Sequence, residues 1–214
     1  MSLIKINNSR CKSCYLCVAT CPKGLIKKSN NTNRLGDYLV EFDYSNELNE
    51  EINLCDVDAT CNILNVLLVG DNATLNSNIM INHLSKLTNS DFSNYAIAQD
   101  NAVMVLNNNA KIIKGAAKSI VHQKAKGLTL SKTSKIKAMP NLYIDEYDVL
   151  ASHSAAVGKV NDEHMYYLCS RGVSEEQARE FITMGYLLPV LDYFKDIDIR
   201  EKAQKTLERR VSNV

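Results

Sequence analysis

The chain has 214 residues, of which 45% are hydrophobic and 23% charged, with a formal net charge of +1. This length allows one or two domains with a buried core, and the balanced charge gives no reason to expect a nucleic-acid partner. No apolar run is long enough to cross a bilayer, and the opening MSLIKINNSR lacks the apolar core of a signal peptide. The sequence therefore predicts a cytoplasmic protein without a membrane segment.

The first motif in the chain is a cluster of cysteines within CKSCYLCVATCPKG, at residues 11–24. The spacing of Cys11, Cys14, Cys17 and Cys21, followed by Pro22, is typical of a bacterial-type ferredoxin motif, in which clustered thiolates ligate iron–sulfur clusters. Such dense cysteines indicate metal ligation in a reducing compartment rather than disulfides. We expect a 4Fe-4S cluster here. A zinc site is the alternative, because Cys-x2-Cys also suits zinc.

A second set of residues, in LCDVDATCNILN, repeats this spacing with Cys55, Asp58, Cys61 and Asn65. One interpretation is a degenerate second motif, in which the first three of these join Cys21 around a second cluster. The other cluster would then lack a fourth protein ligand or be of the 3Fe-4S type, and such a labile cluster suits delivery. In the other interpretation, the two cysteines are small apolar residues that match by accident.

Short apolar runs alternate with clusters of turn-forming residues from about residue 63 onward, which predicts an all-β body. Asn-Ala pairs open three of the strand-like runs, a weak internal repeat of the kind that a solenoid needs, and both a solenoid and a sandwich remain open. The apolar runs are residues 63–69, 103–106, 111–115, 127–130 and 141–144; the turn clusters are 70–73, 88–91, 99–102, 107–110 and 131–134; the Asn-Ala pairs are 72–73, 101–102 and 109–110.

Helical periodicity replaces this pattern near residue 161. A first helix is predicted to end at Gly172 and to bury Cys169 on its apolar face. Ser174 and Gln177 form a capping box for a second helix, in which Phe181 is predicted to lie on the apolar face. Pro189 interrupts this helix, and a third, charged amphipathic helix follows to the C-terminus.

The region from about residue 65 to 214 resembles the SufB/SufD family of iron–sulfur cluster assembly proteins. The resemblance rests on KIIKGAAKSIVHQKAKGLTLS (111–131), on the long run 137–187, and on NVLLVGDNATLN (65–76). Within the long run, Ser-His-x-Ala-x-Val-Gly at 152–158 and Ser-Arg-Gly at 170–172 occur in order.

This resemblance implies a mainly β fold: a short right-handed parallel β-helix with a C-terminal helical cap, preceded here by a small α+β ferredoxin-like segment. The expected domains are the ferredoxin-like segment at 1–52, which extends to about 65 if the second motif belongs to it, the β-helix at 53–160 and the helical domain at 161–214.

The resemblance also implies partners. A SufC-type ATPase is expected on the C-terminal helices, and a SufB-like subunit or a second copy of this chain is expected to join through the β-helix. The sequence has no Gly-x4-Gly-Lys-Ser/Thr phosphate loop, so an ATP-driven step belongs to a partner. We expect no enzymatic turnover, no nucleic acid and no membrane.

Three positions make the resemblance closer to the D-type than to the B-type subunit. His153 matches a histidine implicated in the D-type subunit, and neutral imidazole is a reasonable ligand for iron. Met139 lies near the position of a reactive cysteine in the B-type subunit, and Ser154 replaces its glutamate. His153 is therefore a further candidate metal ligand.

The leading hypothesis is a SufD-like assembly component whose ferredoxin-type site serves cluster transfer or electron supply. One alternative is a ferredoxin-like electron-transfer subunit of an oxidoreductase complex. Another is a vestigial cysteine segment beside a purely structural β scaffold.

Overall fold

The computed structural model describes residues 2–5, 37–40, 47–194 and 197–211. The two short strands β1 (Ser2–Lys5) and β2 (Asp37–Val40) pair antiparallel with each other. The cysteine motif and most of the predicted ferredoxin-like segment lie outside the described residues. The expected boundary between residues 52 and 53 falls within the next strand, and the division into domains stays a prediction.

The body of the molecule is a parallel β-solenoid of eight strands. Strands β3, β5, β7 and β9 form one four-stranded parallel sheet, and β4, β6, β8 and β10 form a second. Consecutive strands alternate between the sheets, so each successive pair makes one coil, and the four coils confirm the predicted β-helix. The bounds are β3 (Glu47–Leu54), β4 (Thr60–Val69), β5 (Thr74–His83), β6 (Asn89–Ala98), β7 (Val103–Ile112), β8 (Ile120–Thr129), β9 (Lys135–Ile144) and β10 (Leu150–Lys159).

The coils repeat about every 30 residues, so equivalent turns stack on one another. Asn101 donates from Nδ2 to Asn72 Oδ1 at 2.9 Å, and the backbone nitrogen of Asp71 donates to Asp100 Oδ2 at the same distance. Two of the three Asn-Ala pairs are thus equivalent turn positions, as the sequence predicts. The prediction for the third pair is wrong, because residues 109–110 lie inside β7.

The space between the two sheets, here called the interior, is filled by alternate side chains of each strand. In β5 and β7 every second residue is buried, which is the period of two expected for a strand with one covered face. Interior side chains from neighbouring coils stack in register. The largest of these fully buried apolar side chains are Phe92, Ile79, Ile81, Met104, Leu106 and Ile112.

The helices that follow the solenoid, apart from the first, cover the outer face of the second sheet. They are α1 (Asp162–Ser170), α2 (Glu175–Leu187), a 3-10 helix (Leu188–Tyr193) and α3 (Ile197–Val211). Leu187, Val190 and Leu207 are buried in one cluster with Val66 and Tyr95 of the sheet. The helical cap of the prediction is therefore confirmed. None of the helices described is long and apolar enough to span a bilayer.

The helix ends follow the sequence signals, but the predicted buried faces do not. Ser174 and Gln177 form the capping box, and Gly172 ends α1 in the left-handed region with φ 88°. Cys169 and Phe181 are both exposed, so their predicted burial is wrong. The reason is that α1 buries none of its residues, and α2 turns Ala178, Thr183 and Leu187 to the core instead.

Candidate functional site

In the part of the chain that the structure describes, the last coil leaves one end of the solenoid open. Among the described strands, β9 pairs only with β7, and β10 pairs only with β8. Every residue of β10 is exposed, although its alternate side chains stack in register on buried residues of β8. Within the described ranges, both sheets therefore end in an edge strand whose outer backbone donors and acceptors have no ladder partner, which is a surface suited to strand pairing.

His153 lies on this last coil and faces the interior side. It pairs in register with Gln123, which is buried in the interior. Its Nδ1 atom is 2.9 Å from the carbonyl oxygen of Pro140 on β9, across the open end. A carbonyl oxygen only accepts, so Nδ1 carries the hydrogen, and the neutral ring presents its lone pair at Nε2. Nε2 has no hydrogen-bond partner within the described part of the chain, and this arrangement is common among metal-binding histidines.

Met139 and Ser154, the other two positions behind the D-type resemblance, both lie on the outer faces of their strands. Met139 pairs in register with Asn107, on the outer face of the first sheet. Ser154 pairs with Lys124, on the outer face of the second. Of these three positions, only His153 is directed to the interior side.

The residues of the second cysteine set occupy the turn between β3 and β4 and β4 itself. Cys61 is on β4, 3% exposed, and packs in the apolar cluster with Ile63 and Phe92. Cys55 is exposed just after β3, and Asp58 adopts a left-handed turn conformation with φ 65°. Cys61 thus packs among apolar side chains, and the choice between the two interpretations of this set stays a prediction.

No group of three or more His, Cys, Asp or Glu side chains arranged to hold a metal ion occurs in the ranges that the structure describes. Cys11, Cys14, Cys17 and Cys21 lie outside those ranges. Their four thiols are a donor set that fits an iron–sulfur cluster by chemistry. The first motif, the second motif and His153 all stay predictions as metal sites.

Sequence reasoning missed the contacts that two residues of β8 make with the last coil. Gln123 is its in-register neighbour, and its Nε2 donates to the carbonyl oxygen of Asn141 at 3.4 Å. On the outer face, His122 Nδ1 lies 2.7 Å from Ser152 Oγ. The signal that could have found them is the coil length, because residues about 30 apart are neighbours in a solenoid.

Two known protein-family models match parts of this chain. Residues 42–186 match the family model described as "SUF system FeS cluster assembly, SufBD core domain", which is more than half of the chain. The chain belongs to the SufBD family. Residues 4–27, which include the first cysteine motif, match a second model described as "4Fe-4S binding domain".

Individual SufBD relatives include proteins named SufD. The iron-sulfur cluster assembly protein SufD of Bacillus subtilis (strain 168) is 33% identical over 138 residues, which cover 64% of this chain and 32% of that protein. SufD of Escherichia coli (strain K12) is 23% identical over 177 residues, covering 83% of this chain and 40% of that protein. A SufBD family protein of Pyrococcus horikoshii is 38% identical over 106 residues, covering 48% and 23% respectively. The chain therefore spans less than half the length of these curated relatives.

Proposed function

We propose that this chain is a SufD-like component of a Suf-type iron–sulfur cluster assembly scaffold that works in the cytoplasm without enzymatic turnover of its own. The observation that carries the proposal is the open last coil, on which His153 presents Nε2 beside an unpaired strand edge. A scaffold assembled through that edge would bring groups from two subunits together at the histidine. One imidazole alone is too few ligands for a cluster, so the partner supplies the others.

The partner at the open end is a SufB-like subunit or a second copy of this chain. The β10 edge is ten residues long and contains no proline, whereas β9 carries Pro140. Proline lacks a backbone donor and blunts edge pairing, so β10 is the better template for an added strand. Ala155 and Val157 are apolar, face the interior side and are exposed, and a partner coil would cover them.

This partner can be tested with a pair of neighbouring substitutions on β10. Ala155→Asp puts a charge on the interior-facing side of the edge, whereas Ser154→Asp puts the same charge on the outer face. The full chain is produced alone and with a SufB-like subunit, and complex masses are measured by light scattering against the monomer mass of 23.9 kDa. We expect Ala155→Asp to abolish the complex and Ser154→Asp to retain it. A wild-type chain that stays monomeric in both cases contradicts the proposed interface.

The C-terminal helices are the proposed docking surface for a SufC-type ATPase. Tyr166 and Tyr167 of α1 are 77% and 57% exposed, and Phe181 of α2 is 59% exposed. Exposed aromatic side chains on adjacent helices are typical of a protein interface. The ATPase would supply the phosphate-loop nucleotide site, because this sequence has no such motif.

A deletion of these helices would be a poor test, because α2 and α3 cover the apolar outer face of the second sheet. Substituting Tyr166, Tyr167 and Phe181 together by Ser removes the surface and leaves that packing in place. Tyr147, which is fully exposed in the loop between β9 and β10, gives the matched control Tyr147→Ser. We expect the triple variant to lose co-purification with the ATPase and the control to keep it. Equal co-purification of both variants contradicts this docking surface.

The ferredoxin-type motif is the proposed cluster site, with Cys11, Cys14, Cys17 and Cys21 as ligands. When bound, a 4Fe-4S cluster there would supply an electron for assembly or be held in transit to a recipient. The second set, Cys55, Asp58 and Cys61, would hold a further cluster only after Cys61 left its apolar site on β4.

Anaerobic purification followed by iron and sulfide analysis and EPR tests this site. We expect Cys14→Ser to reduce the iron content and Cys169→Ser, at an exposed cysteine outside both motifs, to leave it unchanged. Loss of a second cluster in Cys55→Ser would assign the second motif as ligands. Transfer of the cluster to an apo-ferredoxin supports the assembly role, whereas a cluster that cycles redox states without transfer favours the electron-transfer subunit. A chain without iron contradicts both.

A further inference from the structure

Two asparagines meet in the interior of the solenoid, between its second and third coils. Asn94 on β6 donates from Nδ2 to Oδ1 of Asn108 on β7, 2.7 Å away. Both side chains are completely buried. The bond uses one end of each amide and crosses from one sheet to the other.

The other end of each amide is unsatisfied. Asn94 Oδ1 and Asn108 Nδ2 are buried and have no hydrogen-bond partner in the described part of the protein, and the same holds for Oε1 of the buried Gln123. Leaving such a buried atom without a partner destabilises the fold. Buried polar groups in native proteins are nearly always satisfied, often by an ordered water.

Asn94 adjoins both of the other residues on the interior surface. Gln123 on β8 pairs in register with Phe92, two residues before Asn94, so Gln123 and Asn94 are diagonal neighbours on the same face. The position directly beside Asn94 on β8 is Ala125. The small alanine side chain leaves more room next to the amides than a large aliphatic one would.

We propose that the solenoid interior binds one ordered water molecule among Asn94, Asn108 and Gln123. The water donates to Asn94 Oδ1 and to Gln123 Oε1, and it accepts from Asn108 Nδ2. Two acceptors and one donor are the complement of a single water with three hydrogen bonds, the usual number for a buried water. If oxygen and nitrogen are exchanged in both asparagine amides, one donor and one acceptor again remain without a partner. The same water is therefore needed in either orientation.

This water also fixes the orientation of Gln123. With Oε1 held by the water, Nε2 is directed to the carbonyl oxygen of Asn141. The preceding carbonyl, that of Pro140, accepts from His153. The water is therefore one end of a series of polar contacts that reaches the open last coil, and it belongs to the fold whether or not the proposed function holds.

Oxygen-17 relaxation dispersion of solvent water counts long-lived internal waters and tests the proposal on the full chain. The double variant Asn94→Val, Asn108→Ile replaces both amides with aliphatic side chains of the kind that neighbouring interior positions carry. The control is Leu106→Ile, a volume-conserving change at a buried position on the same face of β7. We expect the double variant to lose one long-lived water and the control to keep the wild-type number.

Equal numbers of internal waters in the wild type and a folded double variant would overturn the proposal. Circular dichroism checks folding. If the double variant does not fold, a high-resolution crystal structure of the wild type decides: density for a water within hydrogen-bond distance of the three side chains supports the site, and a dry interior with the amides rearranged refutes it.

Discussion

Asn78 on β5 donates a hydrogen bond from Nδ2 to Oδ1 of Asn49 on β3, 2.9 Å away and one coil earlier. Asn107 on β7 donates to Asn78 Oδ1 in the same way, so the three amides form a ladder on the outer face of the first sheet. Each rung joins residues that are 29 apart in sequence. The ladder stops at Met139, the next residue in register, because its side chain has no amide group.

Breaking the ladder at its centre should destabilise the solenoid. Asn78→Ala removes both rungs, each worth about 1 kcal/mol, so we expect the free energy of unfolding to fall by about 2 kcal/mol. Asn76→Ala is the matched control, because Asn76 is on the same face of β5 and makes no side-chain hydrogen bond to any described residue. Urea unfolding measures both. Similar losses in the two variants would show that the ladder adds nothing beyond strand propensity.

A buried histidine should make stability depend on pH. His83 is fully buried, with Nδ1 2.8 Å from Thr88 Oγ1 and Nε2 2.9 Å from Ser90 Oγ, and burial lowers its pKa from 6.5 to about 4. Above pH 6.5 the ring is neutral in both folded and unfolded chains and contributes no slope. As the pH falls from 6.5 to about 4, only the unfolded chain gains the proton, so the free energy of unfolding decreases by about 3 kcal/mol.

Replacing the ring separates this effect from the acid sensitivity of other groups. His83→Gln keeps a neutral polar side chain at all pH values, and we expect the slope between pH 6.5 and 4 to become shallower. Ser90→Ala keeps the histidine and should keep the slope, although it lowers stability at every pH. An unchanged slope in His83→Gln would mean that other groups cause the acid sensitivity.

Gly127 on β8 provides a test of interior packing. A Cβ atom at Gly127 would lie 3.1 Å from Ile136 Cγ2 and 3.2 Å from Val157 Cγ2, closer than ordinary van der Waals contact. We expect Gly127→Ala to reduce the free energy of unfolding by about 1–3 kcal/mol, as overpacked cores do. Gly158→Ala, on the adjacent strand, meets nothing within 4 Å and should be close to neutral. Thermal unfolding compares them, and equal melting temperatures would show that the last coil yields without cost.

The turn before β6 contains a strained backbone position that a substitution could relieve. Leu87 is exposed and holds a left-handed conformation with φ 61°, which disfavours a branched side chain. Leu87→Asn should raise the free energy of unfolding by about 1 kcal/mol, because asparagine tolerates this region. Leu84→Asn, at an exposed leucine of the same turn without a positive φ, should not stabilise. A decrease in both variants would show that the leucine side chains stabilise the turn.

Features that depend on neighbours along the chain were predictable from the sequence. The capping box of Ser174 and Gln177, the stop at Gly172 and the break at Pro189 are all confirmed. Each depends on contacts within one or two helical turns, so the residues concerned are adjacent in the printed sequence.

The asparagine-rich strands were not predictable in this way. Residues 107–110 read as a turn, yet they lie in the middle of β7, and β6 begins at Asn89 within another predicted turn. Asparagine favours turns when its amide bonds to its own backbone. In this solenoid Asn107 donates to Asn78, and Asn109 accepts from Asn141. Each of these partners lies one coil away, where no local window of sequence contains it.

The sequence by itself determined the cysteine motif at residues 11–21, the β-then-helical order of the chain, the helix caps and the family resemblance that the match to the SufBD core model confirms. Only the tertiary structure decided which residues stack across coils. That stacking directs His153 to the interior side beside Gln123, buries Cys61 among apolar residues and leaves Cys169 exposed. The physical reason is that each of these outcomes depends on the register between residues about 30 positions apart, and the register is fixed by the packing of whole coils rather than by any short stretch of sequence.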